Sequence, residues 1–390
     1  MVCSEAMHPR VVLFVGNFFF ALFAALITYI LLPYLTSFMP TAYAGLVIAG
    51  GALCAIIVFP FLPYLVERYG PQRLALIFAF IEMAALLILA AAPGAIAVSL
   101  LIALTVSLQP LLSYELDLLL EATVAEEGTT GRVRTLFITA WNIAALVAPL
   151  LLGALLADSD AYGRMFLAAG AALVPFIVLF ATRRLPQGAP VKLSHMRDTL
   201  HCILHDRDLA AVTFGHFLLY AFYIWAPFYV PFYLHSMLGI SWTDLGWVFS
   251  IMLLPYALIE YPAGWVADRF LGDKELMLAG FLIAGGALAL ISTLSSVSPL
   301  WLIVLILVSS RVGAALVESM TEGHFFRRVS EKDVNSISVF RGVWPLANLV
   351  APVVGSLILI FGTYQMLFIL TGGFIALAGA GATLLIRDFK

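Results

Sequence analysis

Ionisable side chains interrupt several long apolar runs in this chain of 390 residues, and Arg311, Glu318 and Glu115 are the three best placed to do chemistry there. An arginine in the middle of a membrane keeps its charge and must meet an anion, either an acidic side chain or a substrate carboxylate or phosphate. A carboxyl group in the same surroundings pairs with a basic residue or carries a proton. These residues therefore indicate solute recognition, proton coupling or a buried ion pair.

The composition of the chain indicates a lipid surrounding. Hydrophobic residues make up 63% of it and charged residues 11%, and the mean hydropathy is +1.05. A soluble domain carries about 25% charged residues, so this chain could not cover its surface in water. The net charge of −3 gives no basic face for nucleic acid. Cys3, Cys54 and Cys202 have no disulfide or metal spacing, and we expect neither metal nor cofactor.

An internal repeat divides the chain. Residues 141–149 read WNIAALVAP and residues 344–352 read WPLANLVAP, identical at six of nine positions at an offset of 203 (344 − 141). A duplication of this length in an apolar chain is typical of transporters whose two halves move about a central site. We therefore expect two halves, 1–182 and 209–390, joined by the polar linker 183–208.

Twelve apolar runs are long enough to span a membrane, since a spanning helix needs about 20 residues. They are 11–33, 42–64, 73–92, 96–119, 134–157, 163–182, 209–234, 243–266, 275–294, 299–320, 335–361 and 364–386. Almost all Lys and Arg residues fall at the termini or in loops after even-numbered runs; Arg164 and Arg311 are the exceptions. Basic residues stay on the cytoplasmic side, which predicts an inner (plasma) membrane protein with both termini inside.

Two loops carry a related motif. The loop after run 2 reads PYLVERYGPQR and includes Glu67, Arg68, Gly70 and Arg73. The loop after run 8 reads GWVADRFLGDK and includes Gly264, Asp268 and Arg269. Both resemble the Gly-x-x-x-Asp-Arg-x-Gly-Arg-Arg motif of the major facilitator superfamily, and with the repeat and linker the resemblance covers the whole chain. It implies an all-α membrane fold of two six-helix bundles, in which these loops latch one conformation.

The resemblance also implies that helices 1, 4, 7 and 10 line a central cavity. Glu115 and Glu318 are repeat mates at the offset of 203, and each is either a gate-latch residue paired with a loop arginine or a proton-coupling residue. Arg311 is either a cavity residue or a buried partner of Glu318 or Glu82. Asp117 and Glu260 are further acids within the runs.

Neutral polar and aromatic residues form a second candidate set for the substrate cavity. Its members are Asn17, Gln109, His216, Tyr220, Tyr223, Trp141, Trp344 and Asn348. His216 is either a proton carrier or a structural histidine. Aromatic rings also anchor helix ends at the membrane surface, and that role is the expectation for Trp225, Tyr229 and Tyr233.

The proline segments of the repeat bear on the direction of transport. The stretch from Ala148 to Gly153 resembles the Gly-Pro-x-x-Gly-Gly motif of antiporter members of the superfamily, although two glycines are missing, and the stretch from Ala351 to Ser356 matches equally well. A proline removes one helical hydrogen bond and bends the span. The symmetric occurrence favours bending and packing, with a small contribution in favour of export.

We therefore predict a secondary transporter of a small organic solute, not an enzyme. No Gly-x-x-x-x-Gly-Lys-Ser/Thr loop is present for ATP, and carboxyl groups are available in the helices. The resemblance to the family, together with Glu115, Glu318 and His216, implies protons as the energy source. The prediction leans to efflux of drug-like or amphipathic compounds; transport of a hydrophilic metabolite, such as a sugar or an organic anion, is the alternative. A non-transporting sensor on the same fold is a further alternative, and we expect a monomer.

Overall fold

The computed structural model describes residues 8–123, 130–157, 159–186, 196–270, 272–329 and 334–387. These parts of the chain are helical, with turns between the helices and no strand among them. Within them, twelve helices are long and apolar enough to cross a membrane. Helices form because a backbone in hydrocarbon must satisfy its own N–H and C=O groups. The predicted all-α fold and the twelve spans are confirmed.

We number the spanning helices in chain order, and several consist of two segments. They are α1 (Pro9–Thr28), α2 (Thr41–Tyr69), α3 (Pro71–Ala90), α4 (Ala95–Glu121), α5 (Thr130–Leu156), α6 (Gly163–Thr182), α7 (Arg207–Met237), α8 (Trp242–Met252 continued by Leu254–Arg269), α9 (Asp273–Thr293), α10 (Leu300–Arg328), α11 (Val334–Arg341 continued by Val343–Phe361) and α12 (Tyr364–Leu385). Short helices cover Leu31–Thr36 and, within the linker, Met196–His205.

The chain forms two compact units. The first contains residues 1–39, 50–192 and 241–246, and the second contains 40–49, 193–240 and 247–390. The first residues of α2 thus belong to the second unit, and the first turn of α8 to the first unit.

Helix packing repeats between the units. In the first unit α1 packs on α5 and α6, and α3 packs on α4 and α6. In the second unit α7 packs on α11 and α12, and α9 packs on α10 and α12, which are the same pairs six helices further along. The sequence repeat is therefore also a structural repeat.

Small residues let the helices of the second unit approach closely, as is common where lipid gives no hydrophobic drive for association. A Cβ atom built on Gly313 of α10 would lie 2.6 Å from the carbonyl oxygen of Gly280 of α9. A Cβ atom on Gly285 of α9 would lie 2.5 Å from the backbone nitrogen of Ala376 of α12. Glycine at these positions fixes which faces of α9, α10 and α12 meet.

Pro149 and Pro352 lie inside α5 and α11, as predicted. Gly70, between α2 and α3, has a φ of 80°, a conformation that L side chains rarely adopt. Its counterpart Gly272 has a φ of −128° and caps α9, so only the first copy of the loop motif requires glycine for its backbone.

Candidate functional site

A hydrogen bond joins α7 to α10 within the second unit. The hydroxyl of Tyr223 donates to Oε2 of Glu318 over 2.5 Å. The ring of Tyr256, on α8, lies 6.0 Å from that of Tyr223 between centroids. Tyr223 and Glu318 are both only partly buried. Two predicted site residues are therefore in direct contact, with a second phenol beside them.

An ion pair lies on the same side of α10. Nη1 of Arg341 donates to Oε1 of Glu322 over 2.7 Å, and the Tyr220 hydroxyl lies beside Arg341. The Tyr220 ring lies 6.1 Å from Tyr223 and 6.5 Å from Trp344. Hydroxyl, guanidinium and carboxylate groups are thus arranged along α7, α10 and α11, with aromatic rings between them.

His216 lies in a stack of aromatic rings rather than in an open site. Its ring is fully buried, 4.1 Å from Phe340, which lies in turn 4.0 Å from Phe325. Nδ1 lies 3.2 Å from the hydroxyl oxygen of Thr321. These contacts support the structural interpretation of His216, although Nε2 is buried without a hydrogen-bond partner in the described part of the chain.

Arg311 is buried, and its guanidinium carbon lies 4.9 Å from the centroid of the Phe222 ring. Nη1 has no hydrogen-bond partner among the described residues, and no ion pair joins it to Glu318 there. The alternative interpretation of Arg311, a buried pair with Glu318 or Glu82, is thus not seen among the described residues. The cation rests instead on an aromatic face.

The polar residues of the first unit that bear on the predicted site differ in their contacts. Nδ2 of Asn17 donates to the carbonyl oxygen of Phe137 over 2.8 Å, which joins α1 to α5. Glu115 is fully buried, and both its carboxyl oxygens lack a hydrogen-bond partner among the described residues. The latch pairing expected for Glu115 is thus not seen in the described part of the chain. Glu82 is also fully buried, beside Thr105.

The remaining predicted cavity residues differ in their surroundings. Trp141 is 37% exposed and lies 5.7 Å from the ring of Phe20. Gln109 is partly buried within α4. Asn348 is partly buried and donates to the carbonyl oxygen of Trp344 in its own helix over 3.1 Å. Each of these three stays a predicted cavity residue.

The rings predicted at the membrane surface lie elsewhere. Trp225 is buried and donates from Nε1 to the carbonyl oxygen of Ala351 over 2.7 Å. Tyr233 is buried and donates to the carbonyl oxygen of Leu294, and Tyr229 is fully buried. The anchoring role expected for these three residues is wrong, because α11, α12 and the end of α9 cover this part of α7.

The charged residues of the two loops are exposed where their side chains are described. Arg68 lies over the ring of Tyr69, and Arg269 over that of Trp265. Glu67 and Arg73 are exposed, whereas the side chain of Asp268, like that of Glu260, lies outside the described residues. The latch role of this loop pair, including Gly264, stays a prediction.

A charge cluster that the sequence analysis missed joins α7, α9 and α10. Asp208 and Asp273 stand near the starts of α7 and α9, and His324 of α10 lies between them, 3.0 Å from Asp208 and 3.4 Å from Asp273. Arg327 pairs with Asp273 over 2.7 Å, and Arg328 with Asp208 over 3.2 Å. Spacings of three and four residues put His324, Arg327 and Arg328 on one face of α10, which could have indicated the cluster. No group of three or more His, Cys, Asp or Glu among the described residues could hold a metal ion.

Comparison with known proteins gives a family match for the second half of the chain and similar folds for the whole of it. A model of the Major Facilitator Superfamily matches residues 212–389. No curated protein sequence matches the chain. A mutant of the nucleoside transporter NupG has the same fold with a TM-score of 0.76 at 13% identity, over 97% of this chain and 100% of that one.

A second solved structure is that of a bacterial homologue of the human lysosomal transporter Spinster, in an inward-facing and occupied conformation. It is similar with a TM-score of 0.78 at 11% identity, over 96% of each chain. At these identities the likeness shows the fold. The second half of the chain thus matches the major facilitator superfamily by sequence, and almost the whole chain has the fold of these transporters, which confirms the predicted resemblance to that superfamily.

Proposed function

We propose that this protein is a proton-coupled secondary transporter of a small organic solute. The observation that carries the proposal is the contrast between two repeat mates. Glu115 is buried without a hydrogen-bond partner among the described residues, whereas Glu318 accepts a hydrogen bond from Tyr223. A charged carboxylate without a partner is costly in hydrocarbon, so its protonation is tied to its exposure. Alternating access changes that exposure, which supports coupling of proton movement to solute movement.

The second unit supports a solute with polar groups. The hydroxyls of Tyr220 and Tyr223 and the ion pair of Glu322 with Arg341 offer hydrogen bonds, and Trp344 offers an aromatic face. This chemistry favours the hydrophilic metabolite over the drug-like compound.

Efflux of amphipathic compounds is the second candidate. The exposed Trp141 beside Phe20 gives the first unit an apolar aromatic surface, and the proline segments resemble those of antiporters. The three-part division at 182 and 208, the cytoplasmic termini, the inner membrane and the monomeric state belong to the same proposal.

The test is solute-driven proton movement in proteoliposomes. The purified protein would be reconstituted with an internal pH-sensitive dye and given sugars, organic acids, amino acids, a neutral nucleoside and lipophilic cations in turn. We expect one class to move protons, and Glu115→Gln or Glu318→Gln to abolish the coupled flux while solute counterflow persists. If both variants keep coupled flux, neither acid carries the proton. If no solute class undergoes counterflow, the result contradicts the transport proposal and favours the sensor alternative.

A further inference from the structure

Arg311 is a cation of the second unit that no acidic side chain of the described residues neutralises. Its side chain is 3% exposed, and its Nη1 has no hydrogen-bond partner there. The guanidinium carbon lies over the face of Phe222, 4.9 Å from the ring centroid. A ring face offsets only part of the cost of removing a cation from water.

The position of Arg311 in α10 is central. It lies eleven residues after the start of the helix at Leu300 (311 − 300), which is about 16 Å along an axis that crosses about 30 Å of hydrocarbon. Gly313 contacts Gly280 of α9. Arg311, two residues earlier and about 200° around the helix, therefore points away from α9 and towards α7, where Phe222 lies.

The acids of α10 have other partners. Glu318 follows Arg311 by seven residues, about 10 Å along the axis, and accepts the hydrogen bond of Tyr223. Glu322 pairs with Arg341. Of these two acids, Glu322 has its charge paired with an arginine of α11, and Glu318 is held by a hydroxyl of α7.

A guanidinium stays charged at any pH that the protein meets, and its planar N–H groups match the oxygens of a carboxylate or a phosphate. We propose that Arg311 seats an anionic group, a carboxylate or a phosphate, of the transported solute. This inference rests on the proposed function of solute transport. An enclosed cation midway across the membrane suits a group that must leave water to cross.

The test measures thermal unfolding of the full-length protein in detergent. The probes are benzoate, phenyl phosphate and the neutral benzamide, and the variants are Arg311→Met and, as a matched control, Arg164→Met, which removes an exposed arginine. We expect at least one anion, but not benzamide, to raise the unfolding temperature of the wild type and of Arg164→Met by about 2 °C or more. The increase disappears in Arg311→Met. Stabilisation by benzoate indicates a carboxylate substrate, and stabilisation by phenyl phosphate indicates a phosphate substrate.

The ligand-free variant gives a second result. Because Arg311 has no acidic partner among the described residues, we expect Arg311→Met to unfold at the wild-type temperature or above it. A decrease of several degrees would show that Arg311 is a structural residue and overturn the inference. The absence of any anion effect on the wild type, or an equal effect on Arg311→Met, would overturn it as well.

Binding in detergent needs no pH gradient, which separates this inference from the proposed function. If a neutral solute drives proton flux that depends on Glu115 or Glu318 and no anion binds, the transport proposal stands and the anion site is rejected. If an anion binds through Arg311 but no solute crosses the membrane, the transport proposal fails and the bound anion is not a transported one.

Discussion

The hydroxyl of Tyr223 donates a hydrogen bond to Glu318 in the second unit. The first copy of the repeat has no tyrosine at the corresponding position. The position equivalent to Tyr223 at the offset of 203 is Phe20 (223 − 203), and the position equivalent to Glu318 is Glu115 (318 − 203). Phe20 is buried and has no hydroxyl to donate, and Glu115 has no hydrogen-bond partner among the described residues. The duplicated acids have diverged in their surroundings, which supports different roles in one cycle.

Tyr223→Phe tests the donor. The change keeps the ring and removes the hydroxyl, so we expect a loss of about 1.5–3 kcal/mol, the contribution of a hydrogen bond to a charged group. The unfolding free energy and the coupled proton flux should both decrease. Tyr64→Phe is the control, because Tyr64 is 60% exposed. A Tyr223→Phe protein with wild-type stability and flux would show that the hydrogen bond serves neither.

Asp208→Ala tests the charge cluster. Asp208 is fully buried, contacts His324 and Arg328, and accepts a hydrogen bond from the backbone N–H of Arg387. Removing one member of a buried ionic network leaves uncompensated charge, which costs about 3–5 kcal/mol. Chemical denaturation should detect this cost. The exposed Asp198 supplies the control Asp198→Ala, expected within about 0.5 kcal/mol of the wild type.

Asp206 gives a pH dependence outside the membrane spans. Partial burial raises the pKa of this carboxyl, but the N–H groups of Leu209 and Asp208 and the charge of Arg328 outweigh that effect, so its pKa is lowered. A lowered folded-state pKa stabilises the protein above the unfolded-state value of about 3.9, and the contribution is lost as the pH falls through the folded-state pKa.

Unfolding of the wild type and of Asp206→Asn should therefore be compared from about pH 7 down to about pH 3. Asparagine still caps a helix, so the variant isolates the charge. We expect the wild type to be more stable at neutral pH and the difference to shrink on acidification. If the stability difference between the two proteins is constant with pH, the difference comes from the cap hydrogen bonds and not from the charge.

The sequence predicted the helices well because hydropathy decides them: an apolar run of sufficient length has no other structure available in lipid. It predicted helix rotation poorly. Trp225, Tyr229 and Tyr233 stand near a helix end, which favours the membrane surface, yet an apolar helix shows no polar face from which its buried side can be read. The partners suggested for Glu115 and Arg311 are not seen among the described residues, for a related reason. The depth of a residue in the membrane follows from its position in an apolar run. The side chains that it contacts depend on which helices pack together.

The linker orientation can be tested through Cys202. This cysteine is exposed on the helix Met196–His205, and the distribution of basic residues predicts that it faces the cytoplasm. In a protein with Cys3→Ser and Cys54→Ser, a membrane-impermeant maleimide should label Cys202 only after the cells are permeabilised. Labelling of Cys202 in intact cells would contradict the predicted topology.

The packing of α9 on α12 can be tested with two adjacent glycines. A Cβ atom on Gly285 would collide with the backbone of Ala376, whereas one on Gly286 would meet nothing within 4 Å. Alanine favours a helix by about 1 kcal/mol over glycine at both positions, so the pair isolates the collision. We expect Gly285→Ala to destabilise by about 1–3 kcal/mol and Gly286→Ala to be neutral or slightly stabilising in thermal unfolding. Equal effects at both sites would contradict the close approach of α9 to α12. The two glycines are neighbours of identical chemistry, so only the contact of Gly285 with the backbone of α12 can make their substitutions differ.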